Sequence, residues 1–277
     1  MSTSEWPELT SETQEFWDQN AAFWDEYIGE GNHFHNQLIR PTVERLLAIK
    51  PGEVVLDVAC GNGNFSRRLA TLGAKVVAID FSKTFITQAR KRTNDQADKI
   101  TYRVIDVTDR TQLLGLGEDH FDAVVCNQAF MDMATLQPLF AALSSILKLH
   151  GRFVFTLAHP CFQSPGAIKM VEEEDCDGEI VVRRSIKTST YITPTTYRGI
   201  GIKGQPVPTR YFHRPLSQLF QSCFDAGLVI DGIEEPVFES KPNEKRSLSW
   251  TNYSEIPPIF VARTRRMDKK RGRNDYR

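Results

Sequence analysis

The chain has 277 residues, 40% of them hydrophobic, enough to bury one full core with an elaborated cap, so no second independent domain is expected. Lys and Arg number 34 against 35 Asp and Glu, and a net charge of -1 offers no general attraction to a phosphate backbone, which disfavours nucleic acid as a partner and leaves only a local patch open. Five cysteines with no Cys-x-x-Cys pair, no basic start followed by an apolar run, and no stretch near the roughly 20 apolar residues of a membrane span lead us to expect a soluble, cytoplasmic protein with free thiols and no membrane partner.

Phe16, Phe23 and Tyr27 recur at helical spacing with Asn20 between them, and Trp17 and Trp24 lie seven apart on a neighbouring stripe. The spacing predicts an amphipathic helix with an aromatic face, ended by Gly29 and Gly31; its rings are expected to pack in a core rather than to touch a ligand. A second helix is predicted over 38–49, before the Pro51-Gly52 stop. Strands and helices then alternate: strand 54–58, helix 64–72, strand 75–79, a helix capped by Ser82, strand 101–105, strand 121–126, a helix carrying Leu136 to Leu147, and strand 152–158. Such alternation means right-handed crossovers and a parallel sheet, and the apolar runs suit strands covered on both faces.

Regularity breaks over 160–214, where only 179–186 reads as a strand. Pro215 opens a helix over 216–226, stopped by Gly227, and 228–233 and 259–263 read as two closing strands. The basic run Lys269-Lys270-Arg271-Gly272-Arg273 is expected to be a solvated, disordered tail.

The most informative stretch runs from Val54 to Ser66. An apolar strand carrying Asp57 leads into a loop with Gly61 and Gly63, and the next helix points its free N–H groups at the same spot. Ser66 stands where a nicotinamide-binding loop wants a third glycine. A buried carboxylate at Asp57 calls for a cation or several donors, so a ligand bearing an ammonium suits it and a pyrophosphate does not. Asp80 ends the second strand, where a carboxylate can accept from both ribose hydroxyls, and Phe81 offers an apolar face to a purine. Asp106 ends the third strand, where it can accept from an exocyclic amino group while the Val107 N–H donates to a ring nitrogen, and Asn127 ends the fourth.

This constellation resembles the class I S-adenosylmethionine-dependent methyltransferases of the small-molecule type. The likeness covers roughly residues 40–265. It implies an α/β fold: a doubly wound, mostly parallel seven-stranded sheet with an antiparallel edge strand, an N-terminal helical lid over 1–50, a methyltransferase domain over 51–265, an insert over 160–214 as β-rich substrate cap, and the tail at 266–277. The implied cofactor is S-adenosylmethionine, and the residues expected around it are Asp57, Ala59, Gly61, Gly63, Asp80, Phe81, Asp106, Val107 and Asn127.

Methyl transfer from a sulfonium is an in-line displacement in which the protein mainly positions donor and acceptor. Some acceptors also need a base, and histidine, with an ordinary pKa of about 6.5, is suited to it. His159, His213 and His35 are the candidates, His213 competing with a turn-fixing role and His35 with a surface one. Cys161 invites comparison with cysteine nucleophiles of carbon-5 pyrimidine methylation, but the Cys126-Asn127-Gln128-Ala129 tract and a net charge near zero speak against it. The same tract departs from the Asn-Pro-Pro-Tyr type that clamps planar amines, and Asp132 alone does not make a magnesium site, so no metal is expected. Tyr191, Tyr197, Tyr211 and Phe212 with Arg183, Arg184, Arg198 and Arg210 suit an aromatic or carboxylate-bearing acceptor, and equally an ordinary surface. The resulting expectation is methylation of an oxygen or nitrogen, less readily a carbon, of a small molecule. The alternatives are an RNA or protein methyltransferase or a non-catalytic binder of the same cofactor; a homodimer is compatible with the sequence but not fixed by it.

Overall fold

The structure is a computed structural model that describes residues 5–239, 243 and 245–267. The Lys269 to Arg273 run lies outside the described residues.

Two helical segments come first, α1 (Thr10–Ile28) and α2 (Arg40–Leu47), the latter entered through a π-helical turn at His35–Ile39. The alternating part is β1 (Val54–Val58), α3 (Asn64–Thr71), β2 (Lys75–Asp80), α4 (Lys83–Arg92), β3 (Ile100–Val104), α5 (Arg110–Leu114), β4 (Phe121–Asn127), α6 (Gln137–Ile146) and β5 (Leu147–Ala158). Ser82 caps α4 by accepting from the Phe85 N–H at 3.2 Å, as its position before the apolar periodicity predicts. The five-residue α5 was not predicted; Asp109 caps it, its carboxylate accepting from the Thr111 N–H at 2.8 Å. Then come β6 (Ile168–Cys176), β7 (Glu179–Lys187), β8 (Thr195–Gly199), β9 (Thr209–His213), α7 (Leu216–Asp225), β10 (Leu228–Glu234) and β11 (Ile259–Arg266).

Seven strands form one sheet in the order β10-β11-β5-β4-β1-β2-β3. The pairs among β1 to β5 are parallel, and β11 runs antiparallel to both of its neighbours, β5 and β10. The antiparallel pairing at the sheet's edge thus comes from inserting the last strand between β5 and β10. Successive β1 residues serve opposite cores: Leu56 and Val58 pack with Phe121, Phe153 and Leu219 on one face, and Val55 with Leu47, Leu69 and Ile86 on the other. Burial on both faces is why the strands read as apolar runs. The strand order reverses direction between β1 and β4, which opens a crevice at their carboxyl ends.

The insert is richer in strands than its sequence shows. β6 pairs with β7, and β8 with β9, as separate antiparallel hairpins. Glu172, Glu173 and Glu174 face solvent beside Arg183, so the hydrophobic alternation that marks a half-buried strand is missing. The Asp177-Gly178 turn, both residues at positive φ, was the available signal.

Candidate functional site

A cavity of about 670 Å³ lies over the crevice between β1 and β4, within the range of small-molecule sites. Its floor is the loop after β1. Ala59 (φ 54), Gly61 (φ 54) and Gly63 (φ 74) all take left-handed backbone, but the two glycines do different work. A Cβ on Gly61 would meet nothing within 4 Å, so its bare face borders the cavity. A Cβ on Gly63 would stand 2.4 Å from the Tyr102 hydroxyl, and Gly63 is not on the cavity wall.

Asp57 is buried and accepts from the Ser66 hydroxyl at 2.6 Å, which explains a serine where a third glycine was considered. Burial pushes its carboxyl up to about 7, against the Ser66 hydrogen bond and aided by the charge of Asp80. Asp80 accepts from the Gly61 N–H and the Ser82 N–H, both at 2.9 Å, thereby tying the glycine loop to the end of β2. Burial pushes it up to about 6 despite those two bonds. Asp106 spends one oxygen on the amide and hydroxyl of Thr108, each at 2.8 Å. Phe81, Asp106, Val107 and Asn127 all line the cavity, and the Asn127 side-chain amide nitrogen is buried there without a partner among the described residues.

Carboxyls held above their ordinary range give the empty protein a pH signature. Stability contributed by Asp57 and Asp80 is fully present below about pH 4, and is lost as pH rises through about 6 to 7, because the folded state binds protons that the unfolded state has released. His35, His159 and His213, held below their ordinary value by burial, act in the opposite sense. The Asp57→Asn variant isolates the carboxyl part: its Tm should fall less between pH 5 and 8 than the wild type's. One pKa unit corresponds to about 1.4 kcal/mol, or roughly 2–4 °C in a domain of this size, so several degrees are expected. Parallel Tm curves for the two proteins would contradict this.

α1 roofs the cavity, and Trp17, Trp24 and Tyr27 stand on its wall, so these rings do more than pack in a core. The roof is latched to the floor. Asn62, between the two glycines, donates to the Asp25 carboxylate and to the Gly29 carbonyl, each at 3.1 Å, and Arg92 pairs with Asp25. Gln14 donates to the Phe81 carbonyl at 3.1 Å, and Asp18 accepts from the Ser82 hydroxyl. The two shorter of the hydrogen bonds that tie Asn62 to α1 and its end contribute about 1 kcal/mol each. In Asn62→Ala, hydrogen exchange of the α1 amides should quicken about tenfold or more; unchanged exchange would show that the latch carries no such energy.

The insert closes the other side. Asn20 of α1 exchanges two hydrogen bonds with the backbone of Val207, at 2.9 and 3.1 Å. Arg198 and Arg210 both grip Glu12 of α1, whose carboxylate is held below its ordinary range chiefly by Arg210. Those two arginines therefore fasten the roof, and Arg183 pairs with Glu174 on the outer hairpin. Tyr197, Tyr211, Phe212 and His213 reach the cavity wall, whereas Tyr191 accepts the Leu216 N–H at the start of α7.

The three histidines fare differently. His159, 1% exposed, is not on the wall: one ring nitrogen meets Glu235 at 2.7 Å and the other accepts the Cys161 N–H at 3.2 Å. His213 lines the cavity while its Nε2 donates to the Tyr191 carbonyl at 2.6 Å. His35 also lines it, half-buried, with Nδ1 2.9 Å from the Asn32 side-chain oxygen; burial and Arg40 push it down to about 4. Sequence reasoning did not single out Arg40, Asn62 or Arg214, which border the cavity from distant segments, and weighed Asp132 only as a metal ligand. Only Asn62 carried a local signal, its place between the glycines.

Residues 56–155 match the methyltransferase domain family. An uncharacterized protein of Haemophilus influenzae is 24% identical over 245 residues, covering 84% of this chain and 89% of the relative. A ubiquinone biosynthesis O-methyltransferase of Xanthomonas campestris is 36% identical over 108 residues; that is 39% of this chain, and the match spans only 44% of the relative. A crystal structure of an S-adenosylmethionine-dependent methyltransferase from Mesorhizobium loti superposes with a TM-score of 0.64 at 23% identity, covering 82% of this chain and 96% of that one, a likeness of fold.

Proposed function

We propose that this chain, whose residues 56–155 match the methyltransferase domain family and whose fold is that of S-adenosylmethionine-dependent methyltransferases, uses S-adenosylmethionine to methylate an oxygen or nitrogen atom of a small molecule enclosed between the β1 loop, α1 and the β8/β9 hairpin. The observation that carries the reading is the continuity of the cavity: one wall runs from Asp57, Gly61 and Asp80 to Tyr197, Tyr211 and His213.

The residues present suit the cofactor. Gly61 offers open backbone, Asn127 an unpartnered donor, and Asp57 and Asp80 two carboxyls that a cationic ligand would help to ionise. When bound, the sulfonium supplies an electrophilic methyl group. In this reading Asp80 receives the ribose, Asp106 and Val107 the adenine edge, Phe81 its face, and the backbone of Ala59 and Gly61 the amino-acid portion. Gly63 supports the loop from below, and His159 holds the turn after β5. His213 and His35 remain on the wall with a neutral ring at pH 7, each able to accept a hydrogen bond from an acceptor.

What remains for the protein is positioning and exclusion of water, which α1 and the insert provide. The latches from Asn62, Asn20 and Glu12 enclose the donor and leave room for an acceptor of small size. Incubation with methyl-labelled S-adenosylmethionine and parallel panels of small alcohols, phenols and amines, bulk tRNA, and cell protein tests the reading. Label is expected in members of the small-molecule panel; label confined to RNA or protein would overturn it.

A further inference from the structure

We propose that the acceptor is a small-molecule amine whose nitrogen is received by the carboxyl of Asp132 beside the rings of Tyr197 and Tyr211, an assignment that rests on the methyltransferase reading above. Asp132 closes the 3-10 turn Phe130–Asp132 directly after β4, at the carboxyl end of the sheet, and lines the cavity. It is 9% exposed, and among the described residues its carboxyl has no hydrogen-bond partner. A polar group so buried costs about 1–3 kcal/mol unless something binds it, and more if it is charged.

The surroundings identify what is missing. Tyr197 and Tyr211 border the same space with ring centroids 5.5 Å apart, and the charge of Asp132 adds to burial in pushing both phenols up. Cys126 also feels the charge of Asp132, and burial keeps its thiol protonated. Arg214 is the nearby guanidinium, but it spends its Nη atoms on the carbonyls of Phe130, Met133 and Ala134 and leans toward Glu5, 3.6 Å away. Among the described residues the titratable groups that feel Asp132 thus include two phenols and a thiol, and no cation pairs with it: Arg214 makes no ion pair to Asp132, although its Nε is buried without a partner of its own. An acceptor ammonium supplies the absent counter-charge, and tyrosine faces favour a cation. Burial disfavours the ionised form of Asp132 until a cation stands beside it, so an ammonium gains an ion pair here that neither a carboxylate nor a hydroxyl acceptor can offer.

The proton balance closes. An ammonium gives one N–H proton to the Asp132 carboxylate, which becomes a neutral acid and frees the nitrogen lone pair. That pair forms the N–C bond as the S–C bond breaks, and the S–C electrons remain on sulfur as a neutral thioether. The product leaves as a methylated ammonium, and Asp132 returns its proton to water. Burial holds this carboxyl well above the usual carboxylate range, which suits it to taking a proton from nitrogen near neutral pH.

The test uses the full chain loaded with S-adenosylhomocysteine at pH 7.5, with benzylamine and the near-isosteric benzyl alcohol as probes in calorimetric titration. Benzylamine should bind at least tenfold more tightly than the alcohol, and Asp132→Asn should remove that preference while leaving S-adenosylhomocysteine affinity unchanged. If Asp132→Asn fails to hold S-adenosylhomocysteine, Tyr197→Leu decides instead: the preference should drop at least threefold. Equal affinity for the two probes, binding of neither, or a preference that survives the substitution overturns the assignment. Failure of the wild type to bind S-adenosylhomocysteine would instead overturn the reading on which it rests.

Discussion

Asp80→Ala is expected to weaken S-adenosylhomocysteine binding by about 100-fold or more. The residue has two tasks that one substitution removes together. It orders the floor of the cavity, because its two oxygens hold the Gly61 and Ser82 amides, both at 2.9 Å. Its remaining lone pairs turn to the cavity, where a carboxylate accepts a hydroxyl pair with charge-assisted bonds worth about 1.5–3 kcal/mol each. Alanine forfeits those bonds and leaves two amide donors to find water in the floor of the site, so the loss exceeds one contact. About 2.8 kcal/mol is 100-fold in affinity. Calorimetric titration reads the result directly, and an affinity within threefold of wild type would remove Asp80 from the cofactor site. Stability should change less than binding, since the substitution also deletes a carboxyl whose burial is unfavourable, as its pKa of about 6 records.

Gly63→Ala should cost about 2–5 kcal/mol of folding stability, whereas Gly61→Ala should cost about 1–2 kcal/mol and act mainly on the cofactor. Both positions have positive φ, 74° and 54°, so each alanine carries left-handed strain. They differ in what the new methyl meets. At Gly63 it would stand 2.4 Å from the Tyr102 hydroxyl and 3.1 Å from Ala89, so β3 and α4 must move. The Tyr102 hydroxyl, anchored to Thr93 at 2.9 Å, cannot step aside without giving up that bond. At Gly61 the methyl enters open cavity, in the space a ligand would fill. Urea unfolding and S-adenosylhomocysteine titration on both variants should therefore give opposite rankings. Equal destabilisation, or normal cofactor affinity in folded Gly61→Ala, would contradict the division of labour between the two glycines.

That the residues proposed to hold the donor would gather in one place was largely legible from the chain, and the reason is local. Asp57, Ala59, Gly61, Asp80, Phe81, Asp106, Val107 and Asn127 sit at strand ends or in the residues that follow, and all border one cavity. Parallel strands delivered in register bring their carboxyl ends together wherever the crossovers are right-handed, so identifying the strands was enough to gather these residues. Gly63 was legible as a turn former but not as a packing partner of Tyr102, since that contact joins the loop to β3. The insert was legible least. The β6/β7 hairpin buries neither face, so no alternating pattern marks it and its pairing shows chiefly in the Asp177-Gly178 turn; β9 buries Thr209, Phe212 and His213 but is only five residues long.

The sequence by itself determined the class of fold, because that follows from short segments whose periodicity and turn chemistry decide their own geometry, and the resemblance of those same segments to class I methyltransferases implied the donor. Only the tertiary structure decided which side chains stand on the cavity wall opposite the glycine loop. Histidine, cysteine and arginine were the residue types that chemistry would nominate, yet His159 is occupied by Glu235, and Arg198 and Arg210 by Glu12. Asp132, by contrast, is buried without a hydrogen-bond partner among the described residues, beside tyrosines that lie some 65 to 80 residues away in the chain. Which side chains are consumed by structural partners and which are left free is a property of long-range packing, and no local spacing encodes it.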